Sequence, residues 1–445
     1  MLTKLKRKLG TDKHFIELLK GSSISFVFRI IGMILGYVFT LMIARGYGAD
    51  AMGIYSLSLT VLGMAVLVGK LGFDTALLKF VAEFTAKKRE QDIRILYRKI
   101  MNVSIPFSIV IATVTYFASS FIAESFFHKQ YLTVYFQIAS LGIVPLVLLS
   151  INREAIRGLK NIKLYSFLTN IAVSLFATVC LAIFYFYSQD KAMPLIANIV
   201  AVFLACILSF IFWFKQYDKK HKSNVTIEKL KYKNIFSVSF PMLITASMTT
   251  VMGMTDIIML GMYSTETDIG IYGVTMKIAM ITSISLIAIN TIAAPKFAEF
   301  WGRDDMDGLS KIVQQTTKMI FWSSFPILMF IFIFPGGLLS IFGKEFIIGA
   351  TALMILTFGQ FVNAISGPVG NIMNMTGYQK ILQYTAITSA IINIILNYIL
   401  IPKYGVSGAA IATATSGILW NILCVSFLYK KLHIVTMYIP FRRYI

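Results

Sequence analysis

An apolar run of roughly twenty residues, the length a helix needs to cross a bilayer, recurs twelve times along this chain. The runs lie at about 22–44, 54–73, 103–123, 131–151, 164–187, 192–214, 236–261, 270–294, 319–342, 347–372, 383–401 and 408–429. Inside hydrocarbon no water is present to bond backbone amides, so each run must close its hydrogen bonds on itself as a helix. The pattern predicts an all-α integral membrane protein with twelve transmembrane helices. With 57% hydrophobic and only 14% charged residues over 445 positions, the composition excludes an ordinary soluble domain.

A formal charge of +21 would by itself suit nucleic acid, but its distribution argues for a membrane surface. Of the 41 Lys and Arg residues, 33 fall in the N-terminal segment, the even-numbered loops and the C-terminal tail, and five in the odd-numbered loops. By the positive-inside rule both termini are cytoplasmic, in a multi-pass protein of the plasma (inner) membrane. The clusters "KLKRK", "KKREQDIRILYRK" and "KKHKSNVTIEKLKYK" are therefore topology signals that also meet anionic membrane lipids; no nucleic-acid partner is expected. The N-terminal apolar run is too long for a signal-peptide core and reads as an uncleaved first helix. Cys180, Cys206 and Cys424 fall inside spans and the four histidines are scattered, so no metal, cofactor or catalytic site is expected. The chain does not read as an enzyme.

Self-similarity divides the spans into two sets of six. "GIY" at 53–55 recurs at 270–272 and "KF" at 79–80 recurs at 296–297, both at an offset of 217. Asn152, Gly158 and Tyr165 match Asn371, Gly377 and Tyr384 at an offset of 219. Six helices return the chain to its starting side, so the halves share one topology and are expected to be related by an axis along the membrane normal. This predicts a six-helix lobe over 1–214, a basic cytoplasmic linker over 215–235, a second lobe over 236–429 and a cytoplasmic tail over 430–445.

Polar residues inside the spans mark inward faces. Ser25, Arg29, Gly32 and Gly36 share one face of the first span, and an Arg buried in a span is costly enough to demand a partner, water or function. Thr245, Thr249, Gly253 and Asp256 share the equivalent face of the seventh, with Asp256 corresponding to position 39 of the first. Lys277 in the eighth span sits at a depth similar to that of Asp256; a structural ion pair and a titratable or substrate-facing pair are both consistent with that placement. The tenth span carries Gln360, Asn363, Gly367, Asn371 and Asn374 as a polar stripe, and the eleventh carries Ser389, Asn393 and Asn397. Interhelical hydrogen bonds and the lining of a wet cavity for hydroxyl-rich ligands account for these stripes equally well.

The segments "FRIIGMILGYVFTLMIARGYGADAMGIYSLSLTV" and "INIILNYILIPKYGVSGAAIATATSGILWN", with the twelve spans and the repeat, resemble the multidrug/oligosaccharidyl-lipid/polysaccharide exporter superfamily. Within it the chain is most similar to polysaccharide and O-antigen (Wzx-type) flippases. The resemblance implies a MATE-like fold whose lobes alternately open a central cavity to either side. It implies movement of an undecaprenyl-pyrophosphate-linked oligosaccharide from the inner to the outer leaflet for surface polysaccharide synthesis, with polysaccharide assembly enzymes as further partners. Arg29, Lys277, Asn363, Asn371, Asn393 and Asn397 are the expected substrate contacts, and Asp256 the candidate for coupling to H+ or Na+. Lipid II flippases of the superfamily have fourteen helices and several cavity arginines, whereas this chain has twelve spans and one deep Arg. A cation-coupled multidrug antiporter of the same fold is the alternative, for which Asp256 would serve.

Overall fold

The computed structural model describes residues 13–87, 89–218 and 232–438. The basic cluster at 4–8 and most of the linker lie outside the described residues, as do the side chains of Thr245 and Thr249. All regular structure among the described residues is helical.

The chain forms two compact units, residues up to Met254 and residues from Thr255 onward. The first holds α1 (Lys13–Gly69), α2 (Phe73–Ala86), α3 (Glu90–Phe121), α4 (Leu132–Leu141), α5 (Ile143–Gly158), α6 (Ile162–Ser166), α7 (Val173–Phe184) and α8 (Met193–Asp218). Helix α9 (Tyr232–Tyr263) contains the division point. The second unit continues with α10 (Glu266–Met280), α11 (Ser283–Gly302), α12 (Met306–Ile333), α13 (Pro335–Ser340), α14 (Ala350–Ser366), α15 (Val369–Met375) and α16 (Gln379–Leu432). By length and apolarity eight of the described helices can cross a membrane, or nine if the bent pair formed by α10 and the start of α11 is one span.

Two of these helices are long because each joins a pair of predicted spans through a glycine. In α1 the non-helical residue is Gly48 (φ 85°, ψ 175°), and in α16 it is Gly405 (φ 51°, ψ −125°). Both follow a tyrosine, Tyr47 and Tyr404, in the two segments that carry the family resemblance. A positive φ is open to glycine at little cost, so glycine permits the break at each position. The Tyr-Gly pair alone does not dictate it, since Tyr272 and Gly273 lie inside the continuous helix α10.

Other predicted spans are interrupted rather than continuous. Gly142 separates α4 from α5, a π-helical turn at Phe167–Ala172 joins α6 to α7, and α10 meets α11 at 45°. The tenth span ends as a helix at Ser366, where Gly367 takes φ 77° and Pro368 follows; the chain then restarts as α15. A single polar stripe through that span is thus corrected to two short helices, because the glycine turn and the proline together stop α14.

Within the first unit α7 packs along α8 and α2 along α5; within the second α14 packs along α16 and α11 along α12. Large apolar side chains point outward, as a hydrocarbon solvent permits: Phe117 is 77% exposed and Phe186 85% exposed. Tyr185, Phe186 and Tyr187, all exposed at the end of α7, fit an aromatic belt at the membrane interface.

Candidate functional site

The most concentrated polar chemistry among the described residues surrounds Asp256 in the second unit. Its position near the end of α9 comes from the apolar periodicity around it, which buries it to 5% exposure. Tyr272, from the first turns of α10, donates to Asp256 Oδ2 at 2.6 Å, and Thr413 of α16 donates to the same oxygen. Asn397 donates to Oδ1 at 2.6 Å and Asn393, one turn earlier on α16, donates to it at 3.3 Å. The amides are themselves linked, Asn397 Nδ2 to Asn393 Oδ1 at 3.0 Å, and Asn393 also donates to Ser416 Oγ at 3.3 Å.

All four groups that bond the carboxylate are neutral. A buried carboxylate is tolerated only when hydrogen bonds replace its hydration, and here both oxygens are occupied. One atom is left over. Asn397 is fully buried, yet its Oδ1 has no hydrogen-bond partner among the described residues. An orphan acceptor beside a carboxylate, a tyrosine and a threonine is an oxygen-rich environment suited to a proton or a small hard cation. Thr413, only half-buried, is the accessible member of the set. Among the described residues no three His, Cys, Asp or Glu side chains converge on a metal position.

The sequence repeat shows what the first unit has instead. At the offset of 217, Asp256 corresponds to Phe39 and Tyr272 to Tyr55, which pack edge to face at 5.6 Å. At the offset of 219, Asn393 and Asn397 correspond to Ser174 and Thr178, and Thr178 donates to the Ser174 carbonyl at 2.7 Å. The first unit fills with aromatic rings the position where the second holds a charge. Tyr55 keeps a buried polar contact there, accepting from Asn198 Nδ2 at 3.1 Å, and a further cluster has Tyr97 donating to Asn152 Oδ1 at 2.6 Å and Asn152 donating to Ser209 Oγ at 2.9 Å.

The remaining expected contacts are placed separately. Arg29 is exposed on α1, on the same side as Gly36, where an added Cβ would meet nothing within 4 Å. Gly32 lies to one side of that face and packs against the Asn170 backbone, where a Cβ would collide with the carbonyl. Lys277 is half-buried in the last turn of α10. Asn363 reaches Gln360 on its own helix at 3.5 Å, and Asn371 stands half-buried on α15. The structure thus brings Asp256, Asn393 and Asn397 together and sets Asn363 and Asn371 on different helices. Sequence reasoning missed Tyr272 and Thr413. The "GIY" repeat is the signal that points to Tyr272; Thr413 carries none.

The model of the polysaccharide biosynthesis protein family matches residues 18–301, well over half of the sequence. The chain belongs to that family. A second model, MatE, matches residues 241–399. The chain is 23% identical to the capsular polysaccharide biosynthesis protein CapF of Staphylococcus aureus, over 60% of this chain and 67% of that one. It is also 23% identical to the probable low-salt glycan biosynthesis flippase Agl15 of Haloferax volcanii, over 41% of this chain and 39% of the relative. Its fold is similar to that of a lipid II flippase, MurJ, in an inward closed conformation, with a TM-score of 0.74 at 14% identity, covering 94% of this chain and 90% of the other. The protein is a multi-pass membrane transporter of the flippase-containing exporter superfamily, and its MATE-like fold agrees with the sequence expectation.

Proposed function

We propose that the protein is an alternating-access flippase that carries a lipid-linked oligosaccharide, of the undecaprenyl-pyrophosphate type, from the inner to the outer leaflet for surface polysaccharide synthesis. The observation that carries this reading is Arg29, a permanent cation exposed inside an otherwise apolar span of a family member. A guanidinium binds pyrophosphate oxygens in pairs, which makes Arg a better phosphate ligand than a point charge. Lys277 is a separate candidate contact for the transported lipid in this reading. Twelve spans, with both termini and the 215–235 linker on the cytoplasmic side, complete the proposed topology.

Asp256, Tyr272, Asn393, Asn397 and Thr413 are assigned to binding the coupling ion, H+ or Na+. Asn393 and Asn397, first expected to meet substrate, join the ion site because their amides are spent on Asp256. Ion binding there would shift the population of outward- and inward-open states only by its differential affinity for them.

The decisive experiment is flipping of a lipid-linked oligosaccharide in proteoliposomes. Arg29→Ala is expected to lower the rate at least about tenfold, a loss of roughly 1.4 kcal/mol of transition-state or ground-state binding, with Arg29→Lys between it and wild type. An unchanged rate at normal protein level sinks the assignment. The buried carboxylate and the MatE match at 241–399 favour the second reading, a cation-coupled multidrug antiporter. That reading requires dye resistance lost in Asp256→Asn and no movement of lipid-linked sugar.

A further inference from the structure

The broken tenth span and the bent eighth create a second polar group in the same unit, distinct from the Asp256 cluster. Ser283 is the first residue of α11, just past the 45° bend, and its Oγ donates to Gln360 Oε1 at 3.3 Å. Asn363, one turn along α14 from Gln360, donates to the same oxygen at 3.5 Å. The single acceptor is therefore shared. Gln360's NH2 group and Asn363 Oδ1 have no protein partner among the described residues, and neither atom is sealed in the interior.

Within the predicted spans 270–294 and 347–372 these side chains lie away from both ends, although Gln360 and Asn363 stand in the last two turns of α14. An amide turned to lipid there would forfeit its hydrogen bonds. Half-buried and half-satisfied amides at that depth border water or a ligand. Their frame is held on both sides. Ser324 of α12 donates to the Thr282 carbonyl at the bend, and Gly367 packs on Thr317 just after α14 ends. Beneath, Leu286 and Ile289 of α11 pack with Phe361 and Ala364 of α14. Rotamers set by such a frame lose little entropy on binding.

The chemistry selects the ligand class. Ser283, Gln360 and Asn363 are all neutral, and their mutual bonds leave an NH2 donor beside an amide acceptor. Adjacent sugar hydroxyls each donate and accept, so a vicinal diol can bond both groups at once, whereas an anion would find a donor opposed by an acceptor. We infer that Gln360, Asn363 and Ser283 form a subsite for an uncharged sugar ring of the transported lipid. The inference rests on the flippase reading above and adds to it where the sugar is read and that the sugar is neutral.

The test uses the full chain in nanodiscs and two synthetic probes: polyprenyl pyrophosphate carrying a neutral N-acetylglucosamine disaccharide, and the same lipid without sugar. Wild type should bind the glycolipid about tenfold more tightly. Gln360→Leu and Asn363→Leu should each remove most of that preference and leave the bare lipid's Kd unchanged. Ser283→Ala, the milder variant should a leucine variant fail to fold, should lose about two- to threefold on the glycolipid alone. Equal loss on both probes, an intact preference in the variants, or no preference in wild type overturns the subsite. Binding of neither probe by wild type overturns the flippase reading itself, so the two failures are distinguishable.

Discussion

Asp256 illustrates how much one buried charge depends on the residues that meet it. Its position in the sequence repeat is held by Phe39 in the first half, against Tyr55; the tyrosine is kept and the charge is not. Removing a donor without removing the carboxylate leaves the charge under-satisfied. Tyr272→Phe is therefore expected to cost about 1.5–3 kcal/mol, read as a lowered melting temperature in detergent. Replacing the charge with an isosteric amide tests the ion assignment: wild type should melt higher in NaCl than in choline chloride, or show a pH-dependent shift, and Asp256→Asn should show neither. At Gly32 the constraint is steric. Gly32→Ala should destabilise by about 1–3 kcal/mol because the new methyl meets the Asn170 carbonyl, whereas Gly36→Ala, facing open space, should stay within about 0.5 kcal/mol. Both can be read from melting temperature and yield, and an inverted order would discard the packing account.

At the scale of elements, breaks matter as much as helices. The breaks at Gly48 and Gly405 fall between predicted spans, where glycine permits a positive φ. The interruption of the tenth span at Gly367–Pro368 was also written in the chain, but a run of apolar residues on either side made it look like one helix. The segment after α16 depends on tertiary contacts instead. Ile434 and Thr436 are each 1% exposed, the Tyr438 N–H donates to the Ile365 carbonyl at 3.0 Å, and Trp322 donates to Tyr438 Oη at 3.1 Å. That segment straps the end of α14, its Tyr438 N–H donating to a carbonyl close to where the helix stops. Truncation after Leu432 should lower stability by about 2–4 kcal/mol through the lost apolar burial and hydrogen bonds, measured by thermal melting of the purified protein. A truncated chain with wild-type melting would show that the strap is passive.

For the molecule as a whole, the charge bias yields a topology that can be read from outside the cell. In a background with Cys180, Cys206 and Cys424 replaced, Gln130→Cys is expected to react with an impermeant maleimide applied to intact cells, and Lys163→Cys only after permeabilisation. The reverse pattern would invert the assigned orientation.

The amino-acid sequence by itself determined the helical membrane class, the repeat and the expected orientation, because apolar run length, residue spacing and charge bias are properties along one dimension. It also marked Asp256, Asn393, Asn397, Gln360 and Asn363, but not Tyr272, Thr413 or Ser283. Only the tertiary structure decided which of them meet. Asn393 and Asn397 join Asp256 across more than 130 positions of sequence, while Asn363 joins Gln360 and Ser283 at a bend. A stripe of amides looks the same on any helix. Its partners depend on how bends and glycine breaks turn each helix face, and those rotations accumulate from packing that no single segment encodes.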